Sequence, residues 1–322
     1  MRPWHAIVSV VLLSASLARA DEPVSCKVGV HVVALSQIDI ADRAADAELY
    51  WWIKCPKGTA PEAMNLTLLT ASGLDPGEPL REDVGEVSYQ SQRIRAQLRV
   101  PLSLRDYPFD EQRVWLDFES AWGRGDLRLA LDDEDAALLQ APLCCLDRSV
   151  SLPDWDLERA KASIDVHEYA TAFGYPKGAG DNRHFDRLRL EVVVQRELLP
   201  YLLKYLFPLL VILAMAYSRC FWGPDQLDSS VAVVTTALLA VVALHLAHAT
   251  GLPEIGYLVK GDLFFLHTDL TLVSSLIALV VEHRLDAAGR SEAAQRVLKW
   301  ERRLFPVVVA AGWSVVFALG AR

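Results

Sequence analysis

The chain changes pattern near residue 198. Before that point apolar and polar residues alternate in short runs; after it apolar residues come in four long blocks. Val28, Val30 and Val32 alternate with Lys27, Gly29 and His31, and Ile94, Ala96, Leu98 and Val100 alternate with Arg93, Arg95, Gln97 and Arg99. Val114, Leu116 and Phe118 repeat the pattern against Arg113, Trp115 and Asp117, as do Leu127, Leu129 and Leu131, and later Leu188, Leu190, Val192 and Val194. A period of two puts every second side chain on one face of a strand. The first part therefore reads as an antiparallel sandwich or barrel with one wet face per sheet.

The four blocks are 201–217, 231–249, 263–281 and 305–321, each 17 to 19 residues long. That is near the ~20 residues a helix needs to cross a bilayer. The link between the third and fourth blocks carries Arg284, Arg290, Arg296, Lys299, Arg302 and Arg303; the link between the second and third carries only Lys260. Positive residues stay in the cytoplasm, so the former is expected to be a cytoplasmic loop. Residues 1–20 read as an export signal: Arg2, an apolar run over 7–17, then Ala18-Arg19-Ala20 before Asp21. The expected layout is a signal peptide over 1–20, an exported β domain over 21–198 and a membrane domain over 199–322. This places the chain in the inner membrane, with its N-terminal domain on the periplasmic or extracellular side.

Composition narrows the classes. Of 322 residues, 52% are apolar and 23% charged, which excludes a disordered chain. A net charge of −9 argues against a nucleic-acid partner, which calls for a basic face. No H-E-x-x-H, G-x-S-x-G, Walker or G-x-G-x-x-G pattern occurs, so neither an enzyme nor a bound cofactor is expected. Export exposes the β domain to oxidising conditions. A hairpin turning near residues 40–41 sets Cys26 opposite Cys55, a geometry open to a cross-strand disulfide. Cys144 and Cys145 are adjacent, and among these four cysteines three full connectivities remain open.

The second block carries the strongest signal. Asp228, Ala232, Thr236, Leu239, Ala243, Leu246 and Thr250 recur once per about 3.7 residues, one face of a helix. That face runs from a carboxylate past a hydroxyl into an apolar stretch and ends on a hydroxyl. It reads either as ordinary bundle packing or as the wall of a pore. As a pore wall, a carboxylate ring would attract cations and the apolar rings could close by dewetting. One helix encloses nothing, so the pore reading requires a symmetric ring of copies.

Tyr107-Pro108-Phe109-Asp110-Glu111-Gln112, Arg196 before the first block, Pro208 within it and Leu252-Pro253 after the second occur in one order with four spans. In this the chain resembles the pentameric ligand-gated ion channels (Cys-loop or Pro-loop receptors), most closely their prokaryotic members. Val114 stands where animal members have the second cysteine of their loop, and prokaryotic members also lack it. The resemblance implies an extracellular antiparallel β-sandwich on a four-helix transmembrane bundle, assembled as a homopentameric ring in a lipid bilayer. It implies conduction of monovalent cations, opened by a small-molecule agonist or by protons; a non-conducting receptor of the same fold is the alternative. It further implies that the loop 38–42 with Asp39 and Asp42, the turn Tyr107–Asp110 and Arg196 meet above the membrane. There Arg196 would pair with Asp110, and Asp39 or Asp42 could join, acting on the segment from Leu252 and Pro253 to Tyr257.

The family's agonist sites lie between neighbouring β domains and are lined by aromatics. The candidates here are Trp122 with Glu119, then Phe173 and Tyr175, with Tyr50 or Trp52 on the facing side; aromatic faces beside a carboxylate favour a cationic amine. The acidic run Asp132-Asp133-Glu134-Asp135 reads as a solvated charge run, with a weak calcium-like modulator site as the other reading. His245, His248, His267 and His283 lie in or near the spans, which makes a response to pH plausible.

Overall fold

The structure is a computed structural model, and it describes residues 22–36, 38–134, 139–174, 183–223 and 226–320. The expected signal peptide and Tyr175 lie outside the described residues. Among the described residues, ten strands form two sheets: β1 (Val24–Leu35), β2 (Ala44–Pro56), β3 (Leu66–Leu68), β4 (Ala71–Pro76), β5 (Leu80–Val84), β6 (Val87–Arg99), β7 (Glu111–Ser120), β8 (Leu127–Leu131), β9 (Trp155–Glu168) and β10 (His184–Arg196). One sheet has the order β4-β6-β2-β1-β8, with β5 also pairing with β6; the other is β3-β7-β10-β9. The alternating apolar residues point between the sheets, where Val28, Leu49, Trp51, Ile53, Leu98, Val114, Leu116, Phe118, Leu188 and Val192 make one core. Each such side chain contributes roughly 1.5–3 kcal/mol through burial.

One pair departs from the antiparallel expectation. β8 runs parallel to β1, with Cys26 opposite Leu129. Parallel neighbours need a long crossover, and here the chain supplies it by passing through the second sheet (β3 and β7) before returning. Trp51 and Trp52 point to opposite faces: Trp51 is in the core, while the Trp52 ring lies over Gly29, where any Cβ would collide with it. Cys26 and Cys55 are bonded with Cα atoms 4.4 Å apart, and Cys144 is bonded to Cys145.

Four helices follow, each long and apolar enough to cross a membrane: α1 (Leu198–Phe221), α2 (Leu227–Thr250), α3 (Lys260–Ala287) and α4 (Ser291–Gly320). All four outrun the spans read from hydropathy. The length of the loop expected between the third and fourth blocks is a correction, because α3 ends at Ala287 and α4 begins at Ser291. The charged residues there ride on helix extensions that need no apolar surroundings, and Gly289, at φ 74°, reverses the chain. At this end Arg219 is buried between Glu282, at 3.2 Å, and Glu301, and it also bonds Ser275. Such a cluster is stable only because the ions compensate one another. It ties α1, α3 and α4 together.

Candidate functional site: the junction and the exposed face of α2

The turn between β6 and β7 sits on the helices. Its Tyr107–Pro108 peptide is cis. Asp110, 1% exposed, receives two hydrogen bonds from the Arg196 guanidinium, at 2.7 and 3.0 Å, and a third from Gln112 Nε2 at 2.7 Å. The same guanidinium lies 4.7 Å from the Tyr107 ring and 4.1 Å from the Trp155 ring. Arg196 ends β10 two residues before α1, so this fork clamps the sandwich base where the chain enters the bundle. Burial pushes the Tyr107 hydroxyl up to about 12, with Arg196 offsetting part of the shift, so Tyr107 stays neutral.

Below the clamp the turn meets three helices. The Tyr107 ring contacts Tyr201 of α1 and His248 of α2, both with centroids 5.6 Å away. Phe109 packs on Phe317 of α4. The link between α2 and α3 docks on the same turn. Leu104 N–H donates to the Tyr257 hydroxyl at 3.3 Å, Gly261 N–H donates to the Tyr107 carbonyl at 2.7 Å, and Lys260 pairs with Asp106 at 2.6 Å. Arg105 covers the Tyr257 ring. Leu252 and Pro253 line a solvent-open cavity with Tyr257 and Asp262.

Asp39 and Asp42 are a correction: neither joins Arg196. The Asp39 carboxylate accepts the Asp42 N–H at 2.9 Å and closes its own turn, while Arg196 has both arms of its fork on Asp110. The partners that sequence reading missed are Trp155, Tyr201, Lys260 and Asp262. Each comes from a segment far off in the chain, and no local spacing marks it.

On α2, all seven residues of the stripe are exposed: Asp228, Ala232, Thr236, Leu239, Ala243, Leu246 and Thr250. Leu239 and Leu246 are 70% and 66% exposed, large values for leucine. Ser230, Val234, Ala237, Val241 and His248 are buried on the bundle side, and Leu238 packs partly against the helical core. The helix thus presents one coherent face that its own chain does not cover.

In the sandwich, the expected aromatic site is reorganised. Glu119 is buried against Arg187, at 2.9 Å, and accepts from the Tyr169 hydroxyl at 3.1 Å. Its charge is compensated, so it is not a free acceptor for an amine, a correction to the carboxylate role read from sequence. Phe173 packs on Tyr169 at 5.0 Å and is otherwise exposed. Trp122 is exposed beyond β7. Trp52 stands on the other sheet, and its indole N–H donates to Asp132 at 2.8 Å. Arg187 and Arg189 had a legible signal, since they alternate on β10 opposite Glu119 and Asp117 on β7, a cross-strand charge ladder. The acidic run is also engaged: Lys54 bonds Asp132 and Glu134, and Lys27 bonds Asp133. Among the described residues no His, Cys, Asp and Glu group is arranged to hold a metal ion.

No protein-family model matches the chain. It is 25% identical over 226 residues to the proton-gated ion channel of Gloeobacter violaceus, covering 70% of this chain and 57% of that protein. It is 25% identical over 215 residues to the rat glycine receptor subunit beta, covering 66% and 40%, and 24% identical over 208 residues to pH-sensitive chloride channel 2 of Anopheles gambiae, covering 64% and 32%. The chain therefore spans less than two thirds of the length of these relatives, which are ion channels and not enzymes. A β-sandwich set through a Tyr-Pro-Phe-Asp turn on four membrane-length helices, together with these similarities, makes the chain a relative of the pentameric ligand-gated ion channels.

Proposed function

We propose that five copies of this chain surround a pore lined by α2, in a lipid bilayer with the sandwich on the periplasmic side of the inner membrane. The observation that carries this is the α2 stripe. It is a face with a carboxylate at one end and large apolar residues in the middle, left uncovered by the rest of the chain. Apolar residues facing lipid are exposed too, as Leu270, Ile277 and Val307 are, but on α2 the exposed apolar residues share their face with Asp228, Thr236 and Thr250. In a five-fold ring these residues face one another.

Two finer readings follow. The Asp228 ring favours cations, although relatives include channels named for chloride. The stimulus is an extracellular ligand or a fall in pH. Relatives named as proton-gated and pH-sensitive favour protons, and the compensated Glu119 takes weight from an amine. The stimulus acts through the Tyr107–Arg196 junction on the link between α2 and α3.

The test is reconstitution of the whole protein in planar bilayers under a potassium chloride gradient, with native mass spectrometry of the detergent complex. The expected result is five copies and stepwise currents reversing near the potassium potential. A stable dimer, or a pentamer that conducts neither at any pH nor with any of a panel of amines and other small molecules added on the sandwich side, would leave only the receptor reading.

A further inference from the structure

His245 and His248 lie three residues apart near the end of α2 and converge on one carboxylate. His245 Nε2 and His248 Nδ1 are each 3.4 Å from Oδ1 of Asp262, in the first turn of α3. The other oxygen of Asp262 accepts the Val259 N–H at 3.0 Å, so the carboxylate is fixed to the start of α3 by the backbone. His248 is buried, and neither of its ring nitrogens has a hydrogen-bond partner. Buried polar atoms are normally paired, and an unpaired one calls for an explanation. His245 is one third exposed and lines the solvent-open cavity that Asp262, Leu252, Pro253 and Glu254 share, which gives protons a route in.

We propose that His245, His248 and Asp262 form a proton-operated latch between α2 and α3 that favours the open pore when protonated. The proposal rests on the reading of α2 as the pore helix.

With neutral imidazoles the carboxylate is shared by two weak partners at long range. An imidazolium beside it gains an ion pair in a site largely screened from water, where such pairs are stronger. Asp262 lies on the bundle side of α2, opposite the exposed stripe. Tightening the pair therefore draws the upper end of α2 away from the pore axis and widens the ring at Leu246. The His248 ring also touches Tyr107, itself under Arg196, so the latch is in contact with the sandwich clamp.

The other groups facing the cluster do not replace it. Tyr107 stays neutral, and Tyr201 and Tyr205 of α1 present rings to His248. Lys204 lies over Tyr205, and Lys260 is held by Asp106 and the Leu319 carbonyl. Asp269, further along α3, is the acidic group electrostatically coupled to His245, and Glu254 is the acidic group that lines the same cavity. Of the cations Arg196 and Arg105, Arg196 is neutralised by Asp110 and Arg105 sits over Tyr257.

The test uses the whole protein in planar bilayers, with pH lowered from 8 to 5 on the sandwich side. The wild type should show a current rising more than tenfold. His245→Gln combined with His248→Gln should abolish the rise or move its midpoint by at least one pH unit. Adding Leu239→Thr to that double variant should restore current that no longer depends on pH. A double variant with the wild-type pH profile, or a wild type that conducts without regard to pH, would overturn the latch. Absence of current in every background, Leu239→Thr included, would instead overturn the pore reading. Because the buried substitution at His248 could prevent folding, histidine-labelled wild-type protein is followed in parallel by nuclear magnetic resonance. Two imidazoles should gain protons over the pH range of the current, with His245→Gln removing one of those signals and shifting the other. No titration of these rings between pH 8 and 5 would also overturn the latch.

Discussion

Replacing Arg196 by glutamine removes the clamp at its centre. Asp110 is 1% exposed and holds two of its three side-chain hydrogen bonds from Arg196; the third comes from Gln112. The variant leaves a buried carboxylate without its cation, and a buried pair broken on one side costs about 3–5 kcal/mol. The guanidinium also leaves the Tyr107 and Trp155 rings, contacts worth roughly 0.5–2 kcal/mol each, which puts the total at the upper end. At about 1.4 kcal/mol per decade, an upper end of about 4–5 kcal/mol is a shift of roughly a thousandfold to a few thousandfold in an equilibrium. It falls on the protein's thermal stability if the clamp is equally made in the proposed closed and open states, and on the activation midpoint if it is not. Both are measured, by thermal aggregation of the detergent complex and by current against stimulus. Arg196→Lys keeps the charge without the fork and should fall between. In a double-mutant cycle with Asp110→Asn, the combined loss should be smaller than the sum of the single losses by about 1–3 kcal/mol. Single variants with wild-type melting and activation, or strictly additive losses, would refute the clamp.

Three further outcomes are expected. Leu239→Thr wets the proposed apolar ring and should give leak current or increased sensitivity, whereas Leu238→Thr, packed against the helical core, should lower thermal stability instead; exchanged phenotypes would mean the α2 face is off by one residue. Asp228→Ala should weaken cation preference, read as a reversal potential moving toward zero in a salt gradient, and an unchanged potential removes Asp228 from selectivity. The sandwich should lose stability in acid: burial would raise Asp132, but its bonds from Lys54 and Trp52 outweigh this and hold it low, and the hydrogen bond from Arg93 lowers Glu48. Carboxylates with depressed folded values contribute fully above the unfolded value of about 4 and lose that contribution as pH falls through the folded value. Melting followed by tryptophan fluorescence should therefore drop below about pH 4, and Lys54→Ala should flatten the drop.

Much of the architecture was legible because it rests on local periodicity. Strands with a period of two and spans of about 20 apolar residues appear in any short window, so Val114-Leu116-Phe118 and the four helices were readable without partners. The α2 stripe was readable for the same reason, since seven residues at helical spacing need no tertiary information to share a face. The β1–β2 hairpin made a Cys26–Cys55 bridge geometrically possible, but three connectivities stayed open until the fold chose this one, in a register that shifts between Val32 and Ala34.

What only the tertiary structure decided involves groups distant in the chain. Asp110 and Arg196 are 86 residues apart, and only the fold shows that their pair is closed, leaving Asp39 and Asp42 outside. Glu119 reads as a free carboxylate until β10 lays Arg187 across it. The acidic run reads as solvated until Lys27 and Lys54 reach it from β1 and β2. Histidines three residues apart on a helix are ordinary packing residues until α3 brings Asp262 beneath both. The physical reason is common to all four. Backbone preference and amphipathic pattern are written in neighbouring residues, whereas the charge state and partners of a buried group depend on whichever distant segment removes its water.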